Sequence, residues 1–85
     1  MDITTDEIRQ ALQHLAPTHL DVIDESAAHA GHAGADGTGR GTHFRVRIAS
    51  ARFDGLSRVA RHRLVYDCLN GFVARGLHAL AIEIV

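Results

Sequence analysis

A stretch of 17 residues at positions 26–42 limits the fold of this 85-residue chain more than any other feature. It contains five of the eight glycines and no large apolar side chain, so it cannot contribute to a hydrophobic core. We therefore predict a loop there. Hairpin connections usually span about 2 to 5 residues, so a loop this long indicates a functional or disordered segment.

Strand patterns flank this loop on both sides. Residues 43–50 alternate between apolar and polar side chains, with Phe44, Val46 and Ile48 on one face. Residues 19–25 place Leu20 and Val22 on one face in the same way. The loop therefore joins the strands of an antiparallel hairpin. We predict a single domain over residues 1–85, with this long Gly/His-rich hairpin loop at 26–42.

Two helices and a last strand complete the pattern. Thr4 and Glu7 form a capping-box pattern that starts a helix over residues 5–15. Ser57 caps a second helix that reaches about residue 74. Its predicted apolar stripe consists of Leu64, Val65, Cys68, Leu69, Phe72 and Val73. Residues 77–85 form the last strand, and His78 lies at the start of its core-facing row, at the sheet margin. This order predicts a small α+β sandwich with helices on one face of a three-stranded sheet.

Seven histidines, a single cysteine and no lysine restrict the chemistry. One cysteine excludes an internal disulfide and an all-cysteine metal site within one chain. The net charge of −1 argues against nucleic-acid binding driven by bulk charge. No motif arranges serine, histidine and aspartate for catalysis, so we expect no enzymatic activity. No apolar run could span a bilayer and the acidic N-terminus is not a signal peptide, so we expect no membrane association and a cytoplasmic location.

Several short segments, read together, resemble the BolA family over nearly the whole chain and in the family's order. They are DES at 24–26, HFRV at 43–46, FDGL at 53–56, RHRLVY at 61–66 and GLHALAI at 76–82. The resemblance implies a class II KH-like fold. Its three-stranded mixed sheet would carry helices packed on one face, in α-β-β-α-α-β order.

The resemblance also implies a partner and a cofactor. Family members pair with monothiol glutaredoxins of the CGFS type around a shared 2Fe-2S cluster, to which a glutaredoxin cysteine and glutathione also contribute. One family ligand begins the last strand and corresponds to His78. The other comes from the hairpin loop and corresponds to His29, with His32 as the alternate loop ligand. The isolated chain is then expected to hold no cluster and to be a monomer or weak dimer.

A second function stays open at this point, because some BolA-like proteins act as transcriptional regulators. Arg58, Arg61 and Arg63, together with Arg45 and Arg47, could form a basic surface for DNA. No Gly-x-x-Gly motif lies between two helical segments, as it does in nucleic-acid-binding KH domains. The other histidines are interpreted as structural or surface residues, and Cys68 as a small buried hydrophobic residue.

Overall fold

The computed structural model describes residues 3–26 and 43–85, which form two helices and three strands. In chain order these elements are α1 (Thr5–Leu12), β1 (His19–Asp24), β2 (His43–Ala49), α2 (Arg58–Val73) and β3 (Ala79–Ile84). Short 3-10 turns follow α1 at Gln13–Leu15 and β2 at Ala51–Phe53. The α+β prediction is confirmed. Two helices were expected between the last two strands. The first of them is only the 3-10 turn at Ala51–Phe53, because a turn at Asp54 and Gly55 follows it directly.

The sheet has the strand order β1-β2-β3 and is mixed, as predicted. β1 and β2 are antiparallel, with pairs from His19–Ala49 to Asp24–Phe44. β2 and β3 are parallel, with pairs from His43–Ala79 to Ile48–Ile84. The central strand β2 therefore starts at the same end of the sheet as β3.

The core lies between the helices and one face of the sheet. Phe44, Val46 and Ile48 of β2 are at most 1% exposed. The helices cover them with the buried side chains Ile8, Leu12, Val65 and Leu69. β2 is paired on both edges and covered by the helices on this face. Its apolar side chains are therefore buried, in the alternating pattern that the sequence predicts.

Val73 is an exception to the predicted stripe of α2. It is 63% exposed, although Phe72 beside it packs against the core. Leu77, which is 7% exposed, closes the core at this end of the helix and leaves Val73 outside it. The assignment of Val73 to the apolar stripe was therefore wrong.

Both helices begin where the sequence predicts. The Thr4 hydroxyl accepts a hydrogen bond from the Glu7 amide (3.2 Å), and the Ser57 hydroxyl accepts one from the Ala60 amide (3.1 Å). The Glu7 carboxylate accepts a hydrogen bond from Arg75, which follows α2, and this bond lowers the pKa of Glu7. It ties the start of α1 to the end of α2. Within the described residues, neither helix is long and apolar enough to cross a bilayer.

Candidate functional site

His78 lies directly before β3, at the end of the sheet where β2 also begins, and its side chain is exposed. The parallel register pairs His43 with Ala79, so the two histidines are neighbours across the strands. Their ring centroids are 5.3 Å apart and the ring planes meet at 57°. Two imidazoles are therefore brought together at this end of the sheet.

A compact hydrogen-bond cluster joins the two ends of the segment between β1 and β2. The His43 amide donates to the Ser26 hydroxyl (2.9 Å). The Ser26 hydroxyl donates to the Asp24 carboxylate (2.5 Å), and the Ser26 amide donates to the same carboxylate oxygen (2.9 Å). Ser26 is fully buried and His43 is 7% exposed. Residues 26 and 43 are thereby held together beside the ring of His78.

The predicted loop ligands His29 and His32 lie outside the described residues, as does nearly all of the predicted loop. Of the three metal-site histidines suggested by sequence, the structure therefore describes His78 alone. Sequence reasoning assigned His43 a structural role and missed its contact with His78. The sequence signal was that His43 and His78 each lie at the start of a predicted strand, but their contact depends on the parallel register of β2 and β3.

The described residues do not form a complete metal site by themselves. Among residues 3–26 and 43–85, no three His, Cys, Asp or Glu side chains are grouped so that they could hold a metal ion. A neutral imidazole is nevertheless a good ligand for iron, and His78 is accessible. His78 can therefore serve as a ligand to a metal centre that other groups complete.

Cys68 is half-buried on α2 and packs against the core. Burial, and to a smaller extent the neighbouring Asp67, raise the pKa of its thiol. Because metal binding needs the thiolate, this position is poorly suited to a ligand role. The geometry agrees with the interpretation of Cys68 as a small hydrophobic residue.

The five arginines proposed for a basic surface divide between opposite faces of the domain. Arg45 and Arg47 lie on the sheet face away from the helices. Arg45 contacts both Glu25 and Glu83 (2.9 Å each), and Arg47 contacts Glu83 (3.2 Å). Hydrogen bonds from these two arginines lower the pKa of Glu83. Their charge is thus compensated by neighbouring carboxylates.

The other three arginines, Arg58, Arg61 and Arg63, lie on the N-terminal half of α2. The Arg61 Nε donates to the Leu56 carbonyl (3.0 Å). No salt bridge to any of the three occurs within the described ranges. The basic surface is therefore smaller than predicted and confined to this helix, and DNA binding through it stays a prediction.

Comparison with known proteins shows one family. The family model described as BolA-like protein matches residues 12–85. An uncharacterized protein in the cobS 5' region of Sinorhizobium sp is 48% identical over 84 residues, which cover 98% of this chain and 89% of that protein. Protein BOLA1 of Arabidopsis thaliana is 49% identical over 77 residues, or 88% of this chain. BolA-like protein 1 of mouse is 45% identical over 71 residues, or 84% of this chain.

Solved structures give the same result. BolA1 from Arabidopsis thaliana superposes with a TM-score of 0.82 at 44% identity, covering 99% of this chain and 92% of that one. The solution structure of mouse BolA1 superposes with a TM-score of 0.71 at 42% identity, covering 93% of this chain and 61% of that one. The chain spans 48% of the length of each of the two curated relatives from Arabidopsis and mouse.

Proposed function

Because the chain belongs to the BolA-like family, we propose that it is an adaptor that binds a monothiol glutaredoxin and shares a 2Fe-2S cluster with it. His78 and one loop histidine would be its ligands. The role would be iron-sulfur cluster trafficking or iron regulation in the cytoplasm, without catalysis by this chain. The observation that carries the proposal is the exposed His78 ring beside the joined ends of the His-containing segment.

The ligand count supports a shared cluster over a cluster held by this chain alone. A 2Fe-2S cluster needs four ligands, and a glutaredoxin cysteine and a glutathione thiol supply two of them in the proposal. This chain would then supply two neutral imidazoles, which raise the reduction potential of such a cluster relative to four thiolates. Residues 3–26 and 43–85 contain no group of three candidate ligands. In the proposal, the glutaredoxin cysteine and the glutathione thiol complete the site.

Covalent geometry favours His29 over His32 as the loop ligand. His29 is three positions after Ser26, so their Cα atoms can be at most about 11 Å apart. His32 is six positions after Ser26, which allows about 21 Å. Ser26 is bonded to His43, whose ring contacts His78. Because the tether from Ser26 is shorter for His29 than for His32, it supports His29 as the loop ligand in this proposal, with His32 as the alternate.

Mixing the chain with a CGFS glutaredoxin tests the proposal directly. With glutathione, ferric iron and sulfide present, we expect visible absorption and circular dichroism spectra that differ from those of the glutaredoxin cluster alone. The change has a physical basis, because imidazole nitrogens replace thiolate sulfurs on one iron. Spectra identical to those of glutaredoxin alone would rule out cluster sharing.

Alanine variants of the two loop histidines separate their roles. We expect the shared cluster of His29→Ala to be lost about tenfold faster than that of the unmodified chain, because one iron ligand is missing. His32→Ala is the matched control, three residues along the same Gly/Ala-rich segment, and should leave the lifetime unchanged. The measurement is the decay of visible absorption after a chelator is added. A larger effect of His32→Ala would show that the loop ligand is His32.

A further inference from the structure

The outer edge of β3 is the free edge of the sheet in the described part of the chain, since the strand order ends there. The Val85 amide donates to the Ile48 carbonyl (3.0 Å), so the odd-numbered residues of this strand point their backbone groups toward β2. The N–H and C=O groups of Leu80, Ile82 and Ile84 consequently point outward. Among the described residues, the Tyr66 hydroxyl donates a long hydrogen bond to one of these outward groups, the Leu80 carbonyl (3.5 Å).

This edge lacks the features that usually prevent strand addition. The strand reads ALAIEI, with no proline or lysine. Its one charged residue, Glu83, contacts Arg45 and Arg47 on the opposite face of the sheet. The other edge strand, β1, carries His19, Asp21 and Asp24. The β3 edge is therefore the better template for a further strand.

A groove runs between this edge and α2, and we refer to it as the edge groove. One hollow of about 340 Å³ lies where Tyr66, Leu69 and Val73 of α2 approach Leu80. A second hollow of about 610 Å³ lies near Ile82 and Ile84 and is lined on the other side by Leu56, Arg58, Arg61 and His62. Leu80 and Ile84 are four residues apart, which corresponds to about 13 Å along a strand.

The charge and apolar exposure of α2 indicate what would occupy the edge groove. Arg58 and Arg61 form no salt bridge within residues 3–26 and 43–85. The acidic residue that lines the second hollow, Glu83, is already paired with Arg45 and Arg47, so the charge left in this hollow is basic. The same helix exposes Val59 (68%), Tyr66 (48%) and Val73 (63%), which are seven residues apart and lie on one side. A protein segment with both acidic and apolar side chains matches this basic and apolar surface better than the phosphate backbone of a nucleic acid does.

We propose that the edge groove binds an extended segment of a partner protein as a fourth strand, antiparallel to β3. An acidic side chain of that segment lies against Arg58 and Arg61, and an apolar side chain four residues later lies in the hollow near Leu80. The residues of the bound segment that lie opposite Ile84 and Leu80 direct their side chains to the helix side of the sheet, where the two hollows are. The backbone of the segment satisfies the outward groups of Leu80, Ile82 and Ile84. This binding requires no iron-sulfur cluster, so it can be tested independently of the function proposed above.

The probe is the synthetic peptide acetyl-Ser-Glu-Thr-Val-Thr-Leu-Thr-amide, titrated into the isotope-labelled chain without iron. Its Glu and Leu are four residues apart, and both lie on the face that Val shares. We expect saturable shifts of the Leu80, Ile82 and Ile84 amide resonances in the NMR spectrum. The same peptide methylated at the Val nitrogen should bind at least about tenfold more weakly, because a strand hydrogen bond is lost.

Matched variants of the chain test the acidic contact. Arg58→Glu should weaken peptide binding about fivefold to tenfold, because an attraction becomes a repulsion. Arg52→Glu makes the same charge change at an exposed arginine of the 3-10 turn that does not line the edge groove, and it should leave binding unchanged. Equal weakening by the two variants would overturn the proposal, because the attraction would then be non-specific.

Four other outcomes would also overturn it. Equal binding of the methylated peptide would exclude strand addition, and shifts confined to α2 would exclude the strand edge. Concentration-dependent shifts of the same three amides without peptide would assign the edge groove to a second copy of this chain. Shifts produced by a DNA duplex but not by the peptide would assign it to nucleic acid.

Discussion

Replacing His78 with alanine is expected to abolish the absorption and circular dichroism spectrum of the cluster shared with a CGFS glutaredoxin. The mixture should instead show the spectrum of the cluster held by glutaredoxin and glutathione alone. The physical reason is that the sequence predicts no substitute for His78, so the chain would keep only a loop imidazole. When His29 is lost, by contrast, His32 is available as the alternate loop ligand. His78 is exposed and directly precedes β3, so its loss should leave the folded domain intact.

The matched control for this variant is His14→Ala. His14 is also exposed, but it lies on the 3-10 turn after α1 rather than beside the loop ends. It should give the same shared-cluster spectrum as the unmodified chain. Far-ultraviolet circular dichroism of both variants checks that they are folded. A folded His78→Ala protein with an unchanged cluster spectrum would contradict the assignment of His78.

His43 provides a sharper comparison, because its ring lies 5.3 Å from that of His78. Its amide also belongs to the hydrogen-bond cluster that joins the loop ends, and that amide is retained in an alanine variant. If His43 has only the structural role that sequence reasoning assigned to it, His43→Ala should shorten the cluster lifetime without altering the spectrum. An altered spectrum would instead identify His43 as a ligand.

The parts of the fold that depend on local pattern were predictable from sequence. The alternation of Phe44, Val46 and Ile48 predicted the buried face of β2. In a strand that is covered by helices on one face, every second side chain lies on the buried side. The Ser57 side chain marked the start of α2 for a similarly local reason, since it satisfies an amide three residues away. The sequence pattern placed His78 at the start of the last strand, and the structure places it one residue before β3, at the same end of the sheet.

The parts that depend on contacts between distant residues were not predictable in this way. His43 and His78 meet because β2 and β3 are parallel and in register, and strand order and register are not contained in either strand alone. The compensation of Arg45 by Glu25 and Glu83 involves residues 20 and 38 positions away. A count of arginines therefore overestimated the basic surface, since it could not include acidic neighbours that lie far away in the sequence.

The second large effect is expected from the substitution Phe44→Ala, which should lower the free energy of unfolding by about 3 to 5 kcal/mol. Phe44 is 1% exposed and lies in the central strand, paired with Asp24 on one side and Leu80 on the other. A domain has a total stability of about 5 to 15 kcal/mol, so this loss is a large share of it. Urea unfolding followed by far-ultraviolet circular dichroism measures the change.

Phe44→Leu is the graded control, because it keeps most of the apolar volume and should cost less than Phe44→Ala, about 1.5 kcal/mol. The two variants also connect the core to the candidate site. Phe44 follows His43 directly, so a collapse around the alanine would disturb the contact between the His43 and His78 rings. We therefore expect Phe44→Ala to weaken cluster sharing even under conditions where it is still folded, and Phe44→Leu to preserve it. Equal stability losses in the two variants would contradict the cavity argument. Unchanged cluster sharing by folded Phe44→Ala would show that the packing of β2 does not position the histidines.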